Sequence, residues 1–597
     1  MKNFTTIFPF LFPLIFVFYT SLGYAAEGID NIIREQSRAI QNQQQSEQDK
    51  QRKNELQNME VERKEIEEES EEEGEDLETK SSRRKCFQVV QITILKNKIL
   101  SDLEGQSLTH DYLGKCLAID EINQLLQKIS DKLSEKEYVT SKAVLLKRDL
   151  IKKELIIDII EGQLEDIIFN DDTLFDKMQK FSAFGPIKKR TTLNLHEINI
   201  GVDQINRLPS NSASMKLASG SYANSSILAI QNKPKNTLRT NFSFDDLGNH
   251  ATGKRRDTIG FSYDNLLHLN DSFVFSRVAN DFSHKKELGN SEVLSFGFSV
   301  PFKNHLLTLG HTRYYYSLIK GDVEQFRASG ESLTSSANLE SIILKRKKFN
   351  LKSQLGLTTR NITNYISEEK NDASTRKASI ATLAFLSKIF IDKSAILLKP
   401  SYSKGLKILN ARQDGNEISD QSAHAQFSAF KFYANYSQAL QVPVLKVPCN
   451  YSLSFDSQLS KQRLYSSDQF FIGGAYTVRG FESGSIGGDS GYLLKNEASF
   501  NLGNIIVPML PKHAASTLAG LYNFSVTPFY DYGYIKMHGI NQAGRLAGSG
   551  FKTSFTHKNL TANLTLSWVT NKSVLLQSYY RENQAVYFDV TTNFGFF

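Results

Sequence analysis

Apolar and polar positions alternate along the C-terminal part of this chain with the period of a strand. Leu560, Ala562, Leu564, Leu566 and Trp568 share one face, and Thr561, Asn563, Thr565 and Ser567 take the other. The same period of two runs through Ile259/Phe261/Tyr263, Leu294/Phe296/Phe298/Val300 and Phe430/Phe432/Ala434/Tyr436, as side chains on successive strand residues point to opposite faces. From residue 236 to 597 no helical stripe and no linker interrupts the pattern. At roughly 20–24 residues per strand and turn this predicts about 16 antiparallel strands, an even number as bacterial membrane barrels have. A soluble sandwich of that length would have to split into several domains.

Upstream the period changes. Phe87–Ile94 predicts a strand, Leu117–Leu133 an amphipathic helix with Ile119, Ile122, Leu125, Leu126 and Ile129 on one side, and Ala143–Leu146 and Glu154–Ile160 further strands. A second unit repeats the recipe: strand Gln163–Phe169, helices Asp172–Phe184 and Leu193–Leu208, strands Ser214–Leu217 and Ile227–Ile230. Two α+β units, residues 86–162 and 163–235, therefore precede the barrel at 236–597.

Residues 1–25 read as a secretory signal peptide: Lys2, an apolar stretch Phe4–Phe18, then Gly23-Tyr-Ala25 before a cut. Residues 26–85 combine a weak apolar stripe at Ile29, Ile32 and Ile33, a helix-forming stretch from Gln36 to Asn58, and an acidic run from Glu60 to Glu78 that reads as a flexible spacer. Export permits disulfides, and Cys86 and Cys116 are the two close cysteines, so a bridge is expected between them, two unrelated thiols being the alternative. Cys449 has no evident partner.

Composition narrows the class. Mean hydropathy is −0.35 and only one long apolar run exists, which excludes a polytopic helical membrane protein. Yet 24 Tyr and 40 Phe are many, as a barrel needs for its lipid face and interfacial girdles. The net charge of +7 is modest and no basic patch is interleaved with stacking aromatics, so nucleic acid is not an expected partner. No phosphate-cradling Gly-Lys-Ser/Thr loop, nucleophile elbow or paired-His motif is present; no enzyme activity, metal or cofactor is expected. The basic runs Gly253-Lys-Arg-Arg256 and Lys345-Arg-Lys-Lys348 read as solvated loop charges, with contact to lipopolysaccharide phosphates as the alternative.

The candidate chemistry lies in Gly473-Gly-Ala-Tyr-Thr-Val-Arg-Gly-Phe481. An Arg on a barrel wall facing lipid costs about 2–4 kcal/mol at mid-depth, so Arg479 should face an aqueous lumen. The glycines suit a loop folded back on itself.

From Cys86 to the C-terminus the chain resembles the TpsB transporters of bacterial two-partner secretion, the haemolysin secretion/activation type. The resemblance rests on Cys86-Phe87, Cys116-Leu117, Tyr138-Val-Thr140 and Ile160-Glu-Gly162 for a first periplasmic POTRA domain. Leu193-Asn-Leu195 and Gln204–Ser210 serve for a second, and Asp245-Asp246, Ala251-Thr-Gly253, Asp264-Asn265 and Leu269-Asn-Asp271 for the start of the barrel. Its most specific pieces are Val478-Arg-Gly-Phe481 and Phe529-Tyr-Asp-Tyr-Gly533. The resemblance implies a loop, around 465–490, that folds into the barrel with Arg479 paired to Asp531. Phe481 and Phe529 would be packing neighbours, Val478 and Gly480 the rest of the loop motif, and Gly533 part of the strand motif. It also implies an outer-membrane pore with periplasmic POTRA domains that exports a large partner protein, unfolded: a haemolysin, adhesin or contact-dependent toxin. Outer-membrane lipid and lipopolysaccharide would surround it, and the barrel-assembly machinery would read its aromatic C-terminus. An N-terminal helix plugs the pore in the family; here Ile29 to about Asn58 is the candidate. The rival readings are a barrel-assembly factor, which normally has more POTRA domains, and a passive porin, which needs none.

Overall fold

The computed structural model describes residues 40–64 and 86–596 apart from short internal segments, of which 504–522 and 573–582 are the longest. The signal-peptide reading, Ile29, Ile32 and Ile33, the acidic run beyond residue 64, and Phe597 lie outside the described residues.

In the first POTRA domain the central strand Glu154–Ile160 runs parallel to Gln91–Ile94 and antiparallel to Lys142–Asp149. Helix Ile119–Glu135 covers this sheet, burying Ile122, Leu125, Ile129 and Leu133 on one side against Ile157 and Ile159. Phe87–Ile94 is not one strand, as the apolar run had predicted. Phe87–Gln88 pairs with Cys116–Leu117, the chain breaks at Val89, and Gln91–Ile94 joins the other sheet. Val89 is fully buried and its backbone bonds to Lys115 and Gly114, so tertiary packing overrides β propensity there. Cys86 and Cys116 form the disulfide, holding the start of the first short strand to its partner strand Cys116–Leu117 just ahead of the helix. A further helix, Asp102–Thr109, escaped the sequence reading; its apolar stripe is weak, and its signal is the capping box Ser101/Glu104.

The second domain has the sheet order Thr191–Thr192, Gln163–Phe169, Ser225–Gln231, Ser214–Ser219. Helices Leu174–Phe184 and Leu195–Asn206 accompany it, and Ile167, Phe169, Leu193, Ile205, Leu228 and Ile230 form the core.

The barrel is closed and antiparallel, sixteen long described strands from Leu238–Asp245 to Gln584–Phe596, with Glu369–Lys370 as a two-residue extension. First and last strands pair from Leu238↔Phe596 to Asp245↔Asp589, which removes the open edge that an aqueous or lipid-exposed sheet would leave. Asp246 extends the seam, its carboxylate accepting the Phe588 N–H at 2.7 Å. Leu564, Leu566 and Trp568 point outward while Thr565 and Ser567 are buried on the lumenal side, as the alternation predicts. No described helix is long and apolar enough to cross a membrane; the crossing is made by strands.

Residues 40–64 form a helix inside this barrel, about 37 Å long at 1.5 Å per residue. The acidic run begins within it, since Glu60 and Glu62 are helical. The two basic runs are not loop charges of one kind. Arg256 is buried in the wall and bonds Asp245. Lys345 bonds Asp203 of the second POTRA domain, which puts Lys345–Lys348 at the periplasmic rim, away from the lipopolysaccharide of the outer leaflet.

Candidate functional site

Residues 461–489 connect two neighbouring barrel strands, Val447–Ser460 and Ser490–Asn501, and fold back into the lumen. At the base, the fully buried Asp489 accepts the N–H groups of Leu464 and His538 and the side-chain amide of Gln469. Three backbone or amide donors on one carboxylate fix where the loop leaves the wall. Phe470–Ile472 then pairs with Ile486–Gly488 as a short hairpin, and Asp468 receives Arg360 from the barrel strand Phe349–Ile366 at 3.0 Å.

The tip carries the motif. Arg479 is 5% exposed. Its Nε and Nη2 donate to the two carboxylate oxygens of Asp531, both at 2.7 Å, and its backbone N–H donates to Oδ2 at 3.1 Å. Nη2 also reaches Glu497 at 2.7 Å, and the guanidinium lies 3.4 Å from the centroid of the Phe529 ring. Asp531 and Phe529 share a strand face, and Glu497 stands opposite Phe529 in the neighbouring strand. A bidentate fork on one carboxylate, a second carboxylate and an aromatic face leave the cation fully occupied.

Apolar packing seats the same tip. Val478 is fully buried and Phe481 nearly so, in a cluster with Ile472, Leu493, Ile535 and Leu546. Phe481 therefore packs to one side of the ion pair while Phe529 lies against the cation itself. Gly480 holds φ = +108° with the backbone of Trp568 beside it, a conformation that a side chain would strain. On the wall, a Cβ at Gly533 would meet Ile472 at 2.7 Å and Val478 at 3.0 Å, so this strand glycine opens the seat for the loop. Tyr476 adds a hydroxyl bond from Arg256 at 2.6 Å.

Sequence reasoning missed Glu497, Asp489, Asp468 and Arg360. For Glu497 and Arg360 the one signal is a charged residue at a lumen-facing strand position, which shows only once the register is known; Asp468 and Asp489 lie in the loop, outside any strand alternation.

The helix 40–64 fills the lumen beside the loop. Gln41 and Gln45 donate to the carbonyls of Ser466 and Phe471. Further down, Arg52 meets Asp456 at 2.5 Å, Glu55 meets Lys399 at 2.9 Å and Glu62 meets Lys388 at 2.6 Å. Ile40 and Met59 bury themselves against wall residues, Met59 among Leu386, Phe390, Leu397 and Tyr433. Arg52, Glu55, Met59 and Glu62 stand at i, i+3, i+7 and i+10, one face of a helix.

This architecture matches known proteins over most of the chain. The model of the haemolysin secretion/activation protein ShlB/FhaC/HecB family matches residues 224–555, more than half of the chain. The chain belongs to this family. Its POTRA domains match the ShlB-type model over 87–162 and a general POTRA model over 163–219. The chain is 26% identical over 496 residues to the outer membrane transporter CdiB of Dickeya dadantii, covering 82% of this chain and 84% of that protein. It is 23% identical over 487 residues to the hemolysin transporter protein HpmB of Proteus mirabilis, covering 80% and 79%. Among solved structures, CdiB from Escherichia coli superposes with a TM-score of 0.78 at 21% identity, over 94% of this chain and 98% of that one. The protein is thus an outer-membrane barrel of the two-partner secretion class with its POTRA domains in the periplasm, and the family is one of transporters.

Proposed function

We propose that this family member exports one large partner protein, captured in the periplasm by its POTRA domains and passed unfolded through the barrel. The observation that carries the reading is a lumen stopped by a helix held mainly through polar side chains, next to a loop anchored by a buried ion pair. A stopper held by charges can leave without exposing a large apolar core. Arg479 and Asp531, with Val478, Gly480, Phe481, Phe529 and Gly533 around them, would keep the loop seated as the lumenal wall of the route. Capture by strand addition suits the free edge Ser214–Ser219, most of whose residues are exposed. Named relatives include hemolysin and heme/hemopexin transporters, so the family alone does not select among haemolysin, adhesin and contact-dependent toxin as cargo. The test is co-expression with a large exported protein encoded beside this chain: surface delivery should require this chain. Delivery that persists without it overturns the reading. In planar bilayers, deletion of residues 40–64 should turn a mostly closed channel into a steadily open one; unchanged conductance rejects the helix as a stopper.

A further inference from the structure

Helix Leu174–Phe184 of the second POTRA domain is amphipathic in the wrong sense for a periplasmic surface. It buries Asp176, Gln179, Ser182 and Ala183, while Leu174, Phe175 and Phe181 are 71%, 54% and 51% exposed. With Met178 these form a stripe at i, i+1, i+4 and i+7. The polar face is spent on the barrel rim: Ser182 Oγ donates to the carbonyls of Leu269 and Pro301 at 2.6 and 3.1 Å, and Asn270 Nδ2 donates to the Gln179 carbonyl at 2.9 Å.

The contacts of the stripe show which side of the wall it occupies. The Phe181 ring lies 5.5 Å from that of Phe302. Phe302 shares its strand face with Phe296 and Phe298, and Phe298 stands opposite the outward-pointing Leu309. Phe175 stacks at 4.1 Å on His268, in the turn 265–271 where Leu266 and Leu267 are also exposed. The helix thus lies outside the barrel wall, and its apolar face continues the lipid-facing band past the periplasmic end of the strands. In water, apolar area left uncovered forgoes about 25 cal/mol per Å²; a contiguous patch of this kind marks a binding surface.

We infer that this helix, with Leu266 and Leu267, is seated in the periplasmic leaflet of the outer membrane, its partner being the boundary between phospholipid headgroups and acyl chains. Lys177, paired with Asp172 at 3.5 Å and 57% exposed, stands four residues before Phe181, where a long cationic side chain reaches headgroup phosphate while its stem stays apolar. The seat fixes the second POTRA domain against the bilayer independently of any cargo.

Trp568 is the sole tryptophan of the chain, so a Trp568→Phe background reports a single new one. In that background, Leu174→Trp is placed in phosphatidylethanolamine/phosphatidylglycerol vesicles with brominated acyl chains. Its emission should fall at least about twofold relative to unbrominated vesicles, as for an interfacial residue. Leu103→Trp, 79% exposed on the first POTRA domain, should be unaffected. Leu267→Trp supplies the same readout from the barrel side, with insertion checked by heat-modifiable gel migration. Unquenched emission of Leu174→Trp in an inserted barrel overturns the inference whether or not Leu267→Trp is quenched, and would mean that water or a protein partner covers the stripe.

Discussion

Two structures share the lumen, and they are held in opposite ways. The loop tip has one cation, Arg479, enclosed by Asp531, Glu497 and the ring of Phe529, with Val478 and Phe481 driven into an apolar cluster alongside. The helix 40–64 has several separate half-buried pairs: Arg52–Asp456 with side chains 29% and 15% exposed, Glu55–Lys399 with 22% and 27%, and Glu62–Lys388 with 36% and 7%. Burial decides what such pairs are worth. Breaking a buried pair by removing one partner costs about 3–5 kcal/mol, because the other charge is stranded. A pair open to water contributes about 0–1 kcal/mol and is screened by salt; the helix pairs, each spread singly along the lumen and none with a fully buried carboxylate like Asp531, stand nearer that end. The difference fits the proposed reading, in which the loop is a fixed wall and the helix a removable stopper.

The largest effect follows from the anchor. Arg479→Ala strands the fully buried carboxylate of Asp531 and leaves the half-buried Glu497 beside it, and at about 3–5 kcal/mol the loop should leave its seat. Export should be abolished while the barrel remains in the membrane, read by surface delivery and heat-modifiable migration together. Normal export by this variant would remove the anchor from the mechanism. The charge swap Arg479→Asp with Asp531→Arg sharpens the point. It should restore export only in part, because Glu497 then faces a like charge at 479; adding Glu497→Gln should recover more. Equal recovery with and without that third change would show that Glu497 plays no part.

The helix should respond in smaller steps. Removing Arg52, Lys388 and Lys399 together, each to Ala, forfeits about 1.5 kcal/mol at about 0.5 kcal/mol per pair, or roughly a tenfold rise in the open fraction of single channels. Raising salt to 1 M, where the screening length is about 3 Å, should move the unmodified protein in the same direction. The Arg479 anchor should not loosen with it. A salt response as large at the loop as at the helix would erase the distinction between them.

How much of this was legible beforehand follows from periodicity. The period of two announced the barrel, and with it that Phe529, Asp531 and Gly533 share one face. It did not say which charged residue of another strand stands opposite, so Glu497 stayed hidden until the register Glu497↔Phe529 was known. The lumenal helix was visible as a helix-forming stretch, but Gln41 takes its partner from the loop and Arg52 and Glu62 from strands, all several hundred residues away. Such contacts have no local signature. The break at Val89 failed for the reverse reason: locally the run is a strand, and only the two sheets competing for its backbone divide it.

The smallest effect belongs to a surface pair in the first POTRA domain, its two side chains 31% and 33% exposed. Lys136 donates to Glu104 at 2.7 Å, and the N–H and hydroxyl of Ser101 donate to the same carboxylate. The ammonium first, then the two Ser101 bonds, push the Glu104 pKa down to about 2, against about 4.3 in an unfolded chain. A depressed carboxylate adds stability that is present above the unfolded value and disappears as pH falls through the folded one. Wild type and Lys136→Gln should therefore differ slightly and by a constant amount from pH 5 to 8. They should converge between about pH 4.3 and 2, as followed by thermal melts of the POTRA helical signal in the full chain. The Ser101 cap keeps part of the shift in the variant, so Ser101→Ala on top of Lys136→Gln should shrink the remaining acid dependence without abolishing it, because the backbone N–H of residue 101 still donates to Glu104. A gap between wild type and variant as wide as the one expected for Arg479→Ala would mean that exposure does not set the worth of these pairs, and the contrast between loop and helix would lose its physical basis.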